Sequence, residues 1–228
     1  MNLVDQNEFR GKVVLVTGAG KGTGRAVAEA FSERGAILAA NDISPMNVEF
    51  LVTRLNAAGG HARAYLHDIA KKVAAQALIN EVIDHFERID ILVNCANVKP
   101  HGPLLDMDEW DLHRVFEVNT IGTFLMMQSV GRVMRPQGGG VIVNVVKFPA
   151  QPAHVNQGAY AASRLAVAGL TRLAALELQP HNIRVHAATS GLPEFDNSGQ
   201  TYADLVEAVL ALSGEKLAGQ NGRIVNVG

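Results

Sequence analysis

Apolar positions along this chain fall into two textures that alternate from one end to the other. Short apolar-rich stretches, Val13–Val16, Ala36–Asn41, Ala62–His67, Ile89–Asn97, Val141–Val146, Ile183–Ala188 and a last one from Arg223, read as strands, and the first has the β-branched continuity of a strand buried on both faces. Between them, apolar residues recur at helical spacing: Ala26, Val27, Ala30 and Phe31, then a stretch from about Pro45 to Ala58, then Val73, Ala77, Ile79, Val82, Ile83 and Phe86. Leu104 to Met134 predicts a short helix followed by a long one with a broad apolar face, including Trp110, Leu112, Val115, Phe124 and Met126. Further helices are predicted over Leu165–Leu178 and around Tyr202 to Leu212. Pro136 with Gly138, Gly139 and Gly140 is expected to break the chain before the fifth strand. Regular alternation of strand and helix predicts an α/β fold: one domain over residues 1–228, a Rossmann-type doubly wound parallel sheet of about seven strands with helices on both faces.

The first strand runs directly into glycines. Val13 to Gly24 reads VVLVTGAGKGTG, and the helix beginning near Gly22 would turn its free amides toward whatever lies above the strand ends. Such a turn suits a pyrophosphate, although a glycine-rich turn between two core elements explains the same residues without a ligand. The G-x-G-x-x-G pattern is not met, since Thr23 occupies its last position; T-G-x-x-x-G-x-G is met by Thr17, Gly18, Gly22 and Gly24. Asp42 ends the second strand, 24 residues past Gly18. There it can accept hydrogen bonds from ribose hydroxyls and repel a 2′-phosphate, which favours NAD over NADP, or it can cap the helix after Pro45.

Composition narrows the classes. The 48% hydrophobic and 18% charged fractions belong to a globular protein and not a disordered one. Net charge is only −2, with no basic stripe interleaved with aromatics, so a nucleic-acid partner is not expected. No apolar run approaches the ~18 residues of a membrane span, and no signal-peptide core is read at the N-terminus. A single cysteine, Cys95, excludes an internal disulfide and fits a reducing cytoplasm. Cys95 has no neighbouring histidine or cation in sequence and is expected to be a small core residue. The eight histidines show no ligand-like pairing, so no metal site is expected.

The glycine motif and the chain beyond it resemble the short-chain dehydrogenase/reductase family, in particular members like the 3-oxoacyl-carrier-protein reductases. The resemblance covers essentially the whole chain. It implies that Gly18, Lys21, Gly22, Thr23 and Gly24 surround a nicotinamide dinucleotide, with Asp42 and Ile43 at the ribose and Asp68 and Ile69 at the adenine. Asp68 can equally cap the next helix. A basic residue at the place of Lys21 often accompanies NADP in this family, whereas Asp42 would face the extra phosphate directly. Asn94, Cys95, Ala96 and Asn97 stand where the family has N-N-A-G, so Asn94 would tie the central strands together and Ala96 would leave room for the cofactor. Asn119 matches the family's helix asparagine, which joins a proton relay; a solvent-facing helix asparagine is the alternative. Gly191 remains from a P-G pair whose backbone holds the carboxamide, with Ser190 in place of the proline.

The family exchanges a proton through a tyrosine whose pKa a lysine four residues on depresses, with a serine holding the substrate oxygen. A phenol near pKa 10 is a poor base at neutral pH without a cation beside it. Here Tyr160 is present, Arg164 replaces the lysine and Lys147 stands in the serine's place; no Ser or Thr occurs between Ser129 and Ser163. The family's lysine also holds the nicotinamide ribose beside the tyrosine, so the resemblance places Tyr160 and Arg164 at the cofactor; Arg164 keeps the charge and can still donate to ribose hydroxyls, but it does not deprotonate. Lys147 would either donate to a carbonyl oxygen or be a solvated strand-end lysine. The stretch of about 192–201 is short for a lid over a substrate. The resemblance implies a homodimer or homotetramer built on the long helices, and two functions stay open. One is an NAD(P)-dependent oxidoreductase acting on a small carbonyl or alcohol, with weak or altered activity. The other is a dinucleotide-binding or assembly protein that has lost the chemistry.

Overall fold

The computed structural model describes residues 7–148, 155–191 and 204–227. Seven parallel strands form one sheet in the order β3-β2-β1-β4-β5-β6-β7: β1 Val13–Thr17, β2 Ile37–Asn41, β3 His61–Tyr65, β4 Ile91–Asn94, β5 Gly140–Lys147, β6 Ile183–Ser190 and β7 Ile224–Val227. Alternate β1 residues serve opposite faces, as the pleat requires. Val14 and Val16 pack with Val27 and Phe31 of α1 (Gly22–Ser32), Val48 and Leu51 of α2 (Pro45–Ala57), and Val209 and Leu212 of α7 (Leu205–Ser213). Val13 and Leu15 pack with Leu78 and Val82 of α3 (Lys72–Phe86), and with Met126, Val130 and Met134 of α5 (Thr123–Gln137). The expected doubly wound sheet is therefore the observed fold. Strand order reverses between β1 and β4, so a crevice opens above Thr17 and Asn94, which are register partners.

Asp90 braces the foot of that crossing. Its Oδ2 accepts from the Val13 amide at 2.8 Å while Arg88 Nη2 lies 2.7 Å from Oδ1, so the loop before β4 is pinned to the start of β1.

Several boundaries differ from those expected. Leu104 and Leu105 are 90% and 93% exposed and precede the helix α4, which begins at Glu109 and runs to Phe116. Asp108 caps it, accepting from the Trp110 amide. Trp110, Leu112 and Phe124, expected on an apolar face, are exposed. Instead of two separate helices, α4 continues through a π-helical turn, Glu117–Gly122, into α5. Pro136 does not break the chain but sits in the last turn of α5, where Gly138 at φ +90° ends the helix. Strand β6 runs on through Thr189 and Ser190 before Gly191 turns at φ +80°. The start of the last helix is Leu205, with Asp204 as its cap; the short stretch 192–201 lies outside the described residues. Among the described residues, no helix is long and apolar enough to cross a membrane.

Candidate active site

Near the carboxyl ends of β1 to β6, hydrogen bonds link several of the sequence-selected residues and give them structural duties. The glycines are required mostly by the protein itself. A Cβ on Gly18, whose φ is +65°, would lie 2.6 Å from Ala96 Cα, and one on Gly24 would strike the Gly18 carbonyl. Gly22 alone of these combines a positive φ, +56°, with open space where a side chain would be. It opens α1, whose N-cap residue Lys21 is extended and makes no side-chain cap, so the first helical amides face the crevice uncapped. Arg25, which the sequence did not single out, closes the loop from behind by donating from Nε and Nη2 to the Gly20 carbonyl.

Asp42 does more than end β2. Its Oδ2 accepts from the Gly20 amide at 2.8 Å and its Oδ1 from the Ser44 amide at 2.9 Å. The carboxylate thus ties the glycine loop to the start of α2, and its further lone pairs still suit a ribose hydroxyl. Ile43 beside it is 62% exposed. Asp68 accepts from the Ala70 amide at 3.0 Å and from Arg114 at 3.3 Å, an ion pair that joins the end of β3 to α4. Ile69 turns its side chain into the core, 3% exposed, against the π-helical turn, where a Cβ on Gly122 would come within 3.1 Å of it.

At the strand ends in the middle of the sheet, Asn94 Nδ2 donates to Asn144 Oδ1 at 2.9 Å, and Asn144 Nδ2 donates to Thr171 Oγ1 at 2.9 Å. Asn94 does stitch the central strands, through a partner on β5 that no motif flagged. The neighbouring amides of Cys95 and Ala96 both donate to Thr17 Oγ1, fixing the turn after β4 against β1. Asn97 occupies the family's glycine position without left-handed backbone, since the non-glycine residues with positive φ are Glu87, Asn156 and Asn182. Cys95 is buried as expected, but it does have cations within electrostatic reach: burial pushes its thiol up to about 12, against the opposing pull of Lys147 and Arg164.

The π-helical turn carries Asn119 inward, and it is fully buried, so the solvent-facing alternative does not hold. Its amide bonds Val98 in both directions, at 2.9 and 3.0 Å, and donates to Ser163 Oγ at 3.0 Å. Its main-chain carbonyl accepts from Thr123 Oγ1 at 2.8 Å. Asn119 therefore clamps the segment after β4 to α6 (Gly158–Leu178).

Tyr160 and Arg164 lie one turn apart on α6, 3% and 2% exposed. The Tyr160 hydroxyl donates to the Lys147 carbonyl at 2.8 Å. Burial raises its pKa more than Arg164 lowers it. Burial likewise pulls the Arg164 pKa down, and its Cζ stands 5.2 Å from the Tyr160 ring centre. Among the described residues, Arg164 Nε and Nη2 have no hydrogen-bond partner. Lys147 is exposed, but it is no freely solvated lysine: its Nζ donates to Thr23 Oγ1 at 2.9 Å, across the mouth of the glycine loop. Lys99, which carried no motif, places its Nζ 5.3 Å from the same Tyr160 ring.

These features belong to a recognisable lineage. The family profile for short chain dehydrogenase matches residues 12–206. The chain is 36% identical over 186 residues to the 3-oxoacyl-[acyl-carrier-protein] reductase of Thermotoga maritima, covering 82% of this chain and 76% of that one. It is 38% identical over 178 residues to the NAD-dependent glycerol dehydrogenase of Listeria innocua, covering 77% and 68%. Among solved structures, a short chain dehydrogenase from Mycobacterium smegmatis superposes with a TM-score of 0.88 at 28% identity, covering 97% and 93% of the two chains. The chain belongs to the short-chain dehydrogenase family, an oxidoreductase family that binds NAD(P).

Proposed function

We propose that this chain binds NAD and acts as an oxidoreductase on a small carbonyl or alcohol, with a proton-transfer step slowed by its own substitutions. The observation that carries the reading is the Tyr160 hydroxyl, buried at the crevice and hydrogen-bonded to the Lys147 carbonyl. The uncapped amides of α1 and the open space over Gly22 fit a pyrophosphate. Asp42 supports NAD over NADP by repelling a 2′-phosphate, as does the NAD-dependent Listeria relative. When bound, the dinucleotide supplies the hydride or takes it up.

The chain's own residues manage the proton. A phenol whose pKa is raised stays protonated near neutrality, so Tyr160 can give a proton to a nascent alkoxide but is poorly placed to take one. To give it, Tyr160 must first leave the Lys147 carbonyl. Arg164 stabilises charge beside the ring but cannot pass protons on. With a lysine in place of the serine donor, one hydrogen bond to the developing oxyanion is lost, which typically costs ~100- to 1000-fold in rate. Carbonyl reduction is thus the favoured direction, and slow. A non-catalytic dinucleotide-binding role is the second reading, favoured by the same engagement of the Tyr160 hydroxyl with backbone. We assign the long helices to self-association, as a homodimer or homotetramer: a groove of about 340 Å³ between α5 and α6 is lined by Phe124, Met127, Leu170 and Leu173.

The test is NADH binding by fluorescence, followed by turnover of NADH and NADPH against ketones, aldehydes and 3-oxoacyl thioesters. Slow reduction abolished in Tyr160→Phe, and raised in Lys147→Ser with Arg164→Lys, supports the oxidoreductase. Tight NADH binding with no turnover, and none gained in that double variant, transfers support to the second reading. Failure to bind NADH refutes both.

A further inference from the structure

The place of the family's serine is filled here by a side chain long enough to work somewhere else. Lys147 ends β5, three residues past Asn144, whose register partner is Asn94, itself the partner of Thr17. Two strand spacings, about 10 Å, therefore separate its strand from β1. The lysine stem spans from β5 to the start of α1, where Nζ donates to Thr23 Oγ1 at 2.9 Å. The single methylene of a serine could not make that reach.

What this pair presents to the crevice is donors. The ammonium spends one of its N–H groups on Thr23, and Thr23, having accepted, still has its own hydroxyl proton to give. The first amides of α1 beside them are uncapped. Among the described residues Lys147 forms no ion pair, and the carboxylate bonded to the same loop, Asp42, accepts from the Gly20 and Ser44 amides. A cation at the start of a helix stands on the unfavourable side of the dipole. An anion shared between the ammonium and the helical amides reverses the sign of that interaction.

We propose that Lys147 is a ligand of the dinucleotide's pyrophosphate and not a substitute for the serine donor to the substrate oxygen. This rests on the dehydrogenase reading of the crevice, and it moves the substituted residue from the chemical step to cofactor binding. The exchange that removes a donor from the substrate oxygen adds a charge at the phosphates, so dinucleotide affinity is raised where turnover is lowered. Both dinucleotides carry the same pyrophosphate. Lys147 therefore strengthens both alike and leaves the choice between them to Asp42.

The test is calorimetric titration of NADH and of ADP into the full chain over a series of chloride concentrations, for wild type, Lys147→Met, Lys147→Arg and Thr23→Val. ADP carries the diphosphate without the nicotinamide or its ribose. Lys147→Met is expected to weaken both ligands about 10-fold, the effect of one charged hydrogen bond, and to flatten the fall of affinity with chloride. Lys147→Arg should restore most of the affinity, and Thr23→Val, which keeps the shape and amides of the loop, should weaken both ligands far less than Lys147→Met does. Lys147 is exposed, and the carbonyl that Tyr160 bonds survives its substitution, so the variants test binding and not folding. Wild-type affinity in Lys147→Met overturns the proposal and leaves the dehydrogenase reading standing. Equal losses in Lys147→Met and Thr23→Val with unchanged chloride dependence reveal a structural brace only, and overturn it. NADH weakened with ADP unaffected places Lys147 at the nicotinamide half and overturns it as well. A wild-type chain that binds neither ligand overturns both the proposal and the reading it rests on.

Discussion

Arg164→Met should make the ligand-free protein more stable. In the folded chain the guanidinium is 2% exposed, with Nε and Nη2 unpartnered. Each buried donor left unsatisfied costs about 1–3 kcal/mol. The contact with the Tyr160 ring at 5.2 Å offsets part of this, by about 0.5–2 kcal/mol. Methionine follows a similar path with no donor to satisfy, and its flexibility lets it fill the space left by the guanidinium. The net gain is about 1–3 kcal/mol, inside the range of about 1–4 kcal/mol found when buried ion pairs give way to apolar side chains. For a chain of this length that corresponds to a midpoint about 2–10 °C higher. The assay is paired urea and thermal unfolding of wild type and variant at one protein concentration, which holds the effect of the proposed self-association constant. A fall of more than about 1 kcal/mol would refute the reasoning, for it would mean that the guanidinium is satisfied in the free protein.

His186 is fully buried, and that burial, with the charges of Arg184 and Arg223, drives its pKa down to about 3. The unfolded chain takes up a proton near 6.5 that the folded chain refuses, so stability is unaffected above that pH and falls below it by about 1.4 kcal/mol per pH unit toward 3. His186→Asn, which keeps an acceptor for the Arg223 amide, should flatten the acid limb of stability against pH; parallel limbs would count against the assignment. Asn144→Ala removes the partner of both Asn94 and Thr171 and should cost about 2–4 kcal/mol in urea unfolding, with a loss under 1 kcal/mol contradicting the network. Gly18→Ala must move the turn away from Ala96 and should abolish NADH binding, whereas Gly22→Ala, with open space above it, should lose only the ~1–2 kcal/mol of its left-handed backbone. Equal effects in the two variants would show that packing at Ala96 is not what fixes the turn.

The sheet is legible in the sequence because its signal is local: the central strands β1, β4 and β5 are short runs dominated by Val, Ile and Leu, and the helices between strands carry periodic apolar positions. Elements that depend on partners far along the chain are not. Leu104 and Leu105 open the stretch expected to be helical, but they precede the cap at Asp108 and lie in solvent. Pro136 has the character of a breaker, yet it stands inside α5 one residue from its end, where the helix gives up the hydrogen bond that a Pro136 amide would have made. The π-helical turn has no periodic mark; it exists because the amide of Asn119 is satisfied by Val98 and Ser163. In the crevice, the motif positions are readable from sequence, while Asn144, Arg25, Arg114 and Lys99 are not. They act on those positions from strands and helices that sequence spacing does not connect. Lys147 shows the limit most plainly: its position is legible, but the reach of its Nζ to Thr23 spans 124 residues of sequence.

Asp42 sets a constraint on how this protein can evolve or be engineered. The carboxylate that would sort one dinucleotide from the other is also the acceptor for the Gly20 and Ser44 amides. Exchanging it for a small neutral residue to admit a 2′-phosphate would remove a charge and orphan two backbone donors in one step. If Asp42 selects the dinucleotide as proposed, cofactor preference and the shape of the loop cannot be tuned separately. A working switch has to arrive as a compound change, in which a second residue supplies the lost acceptors before the phosphate is admitted.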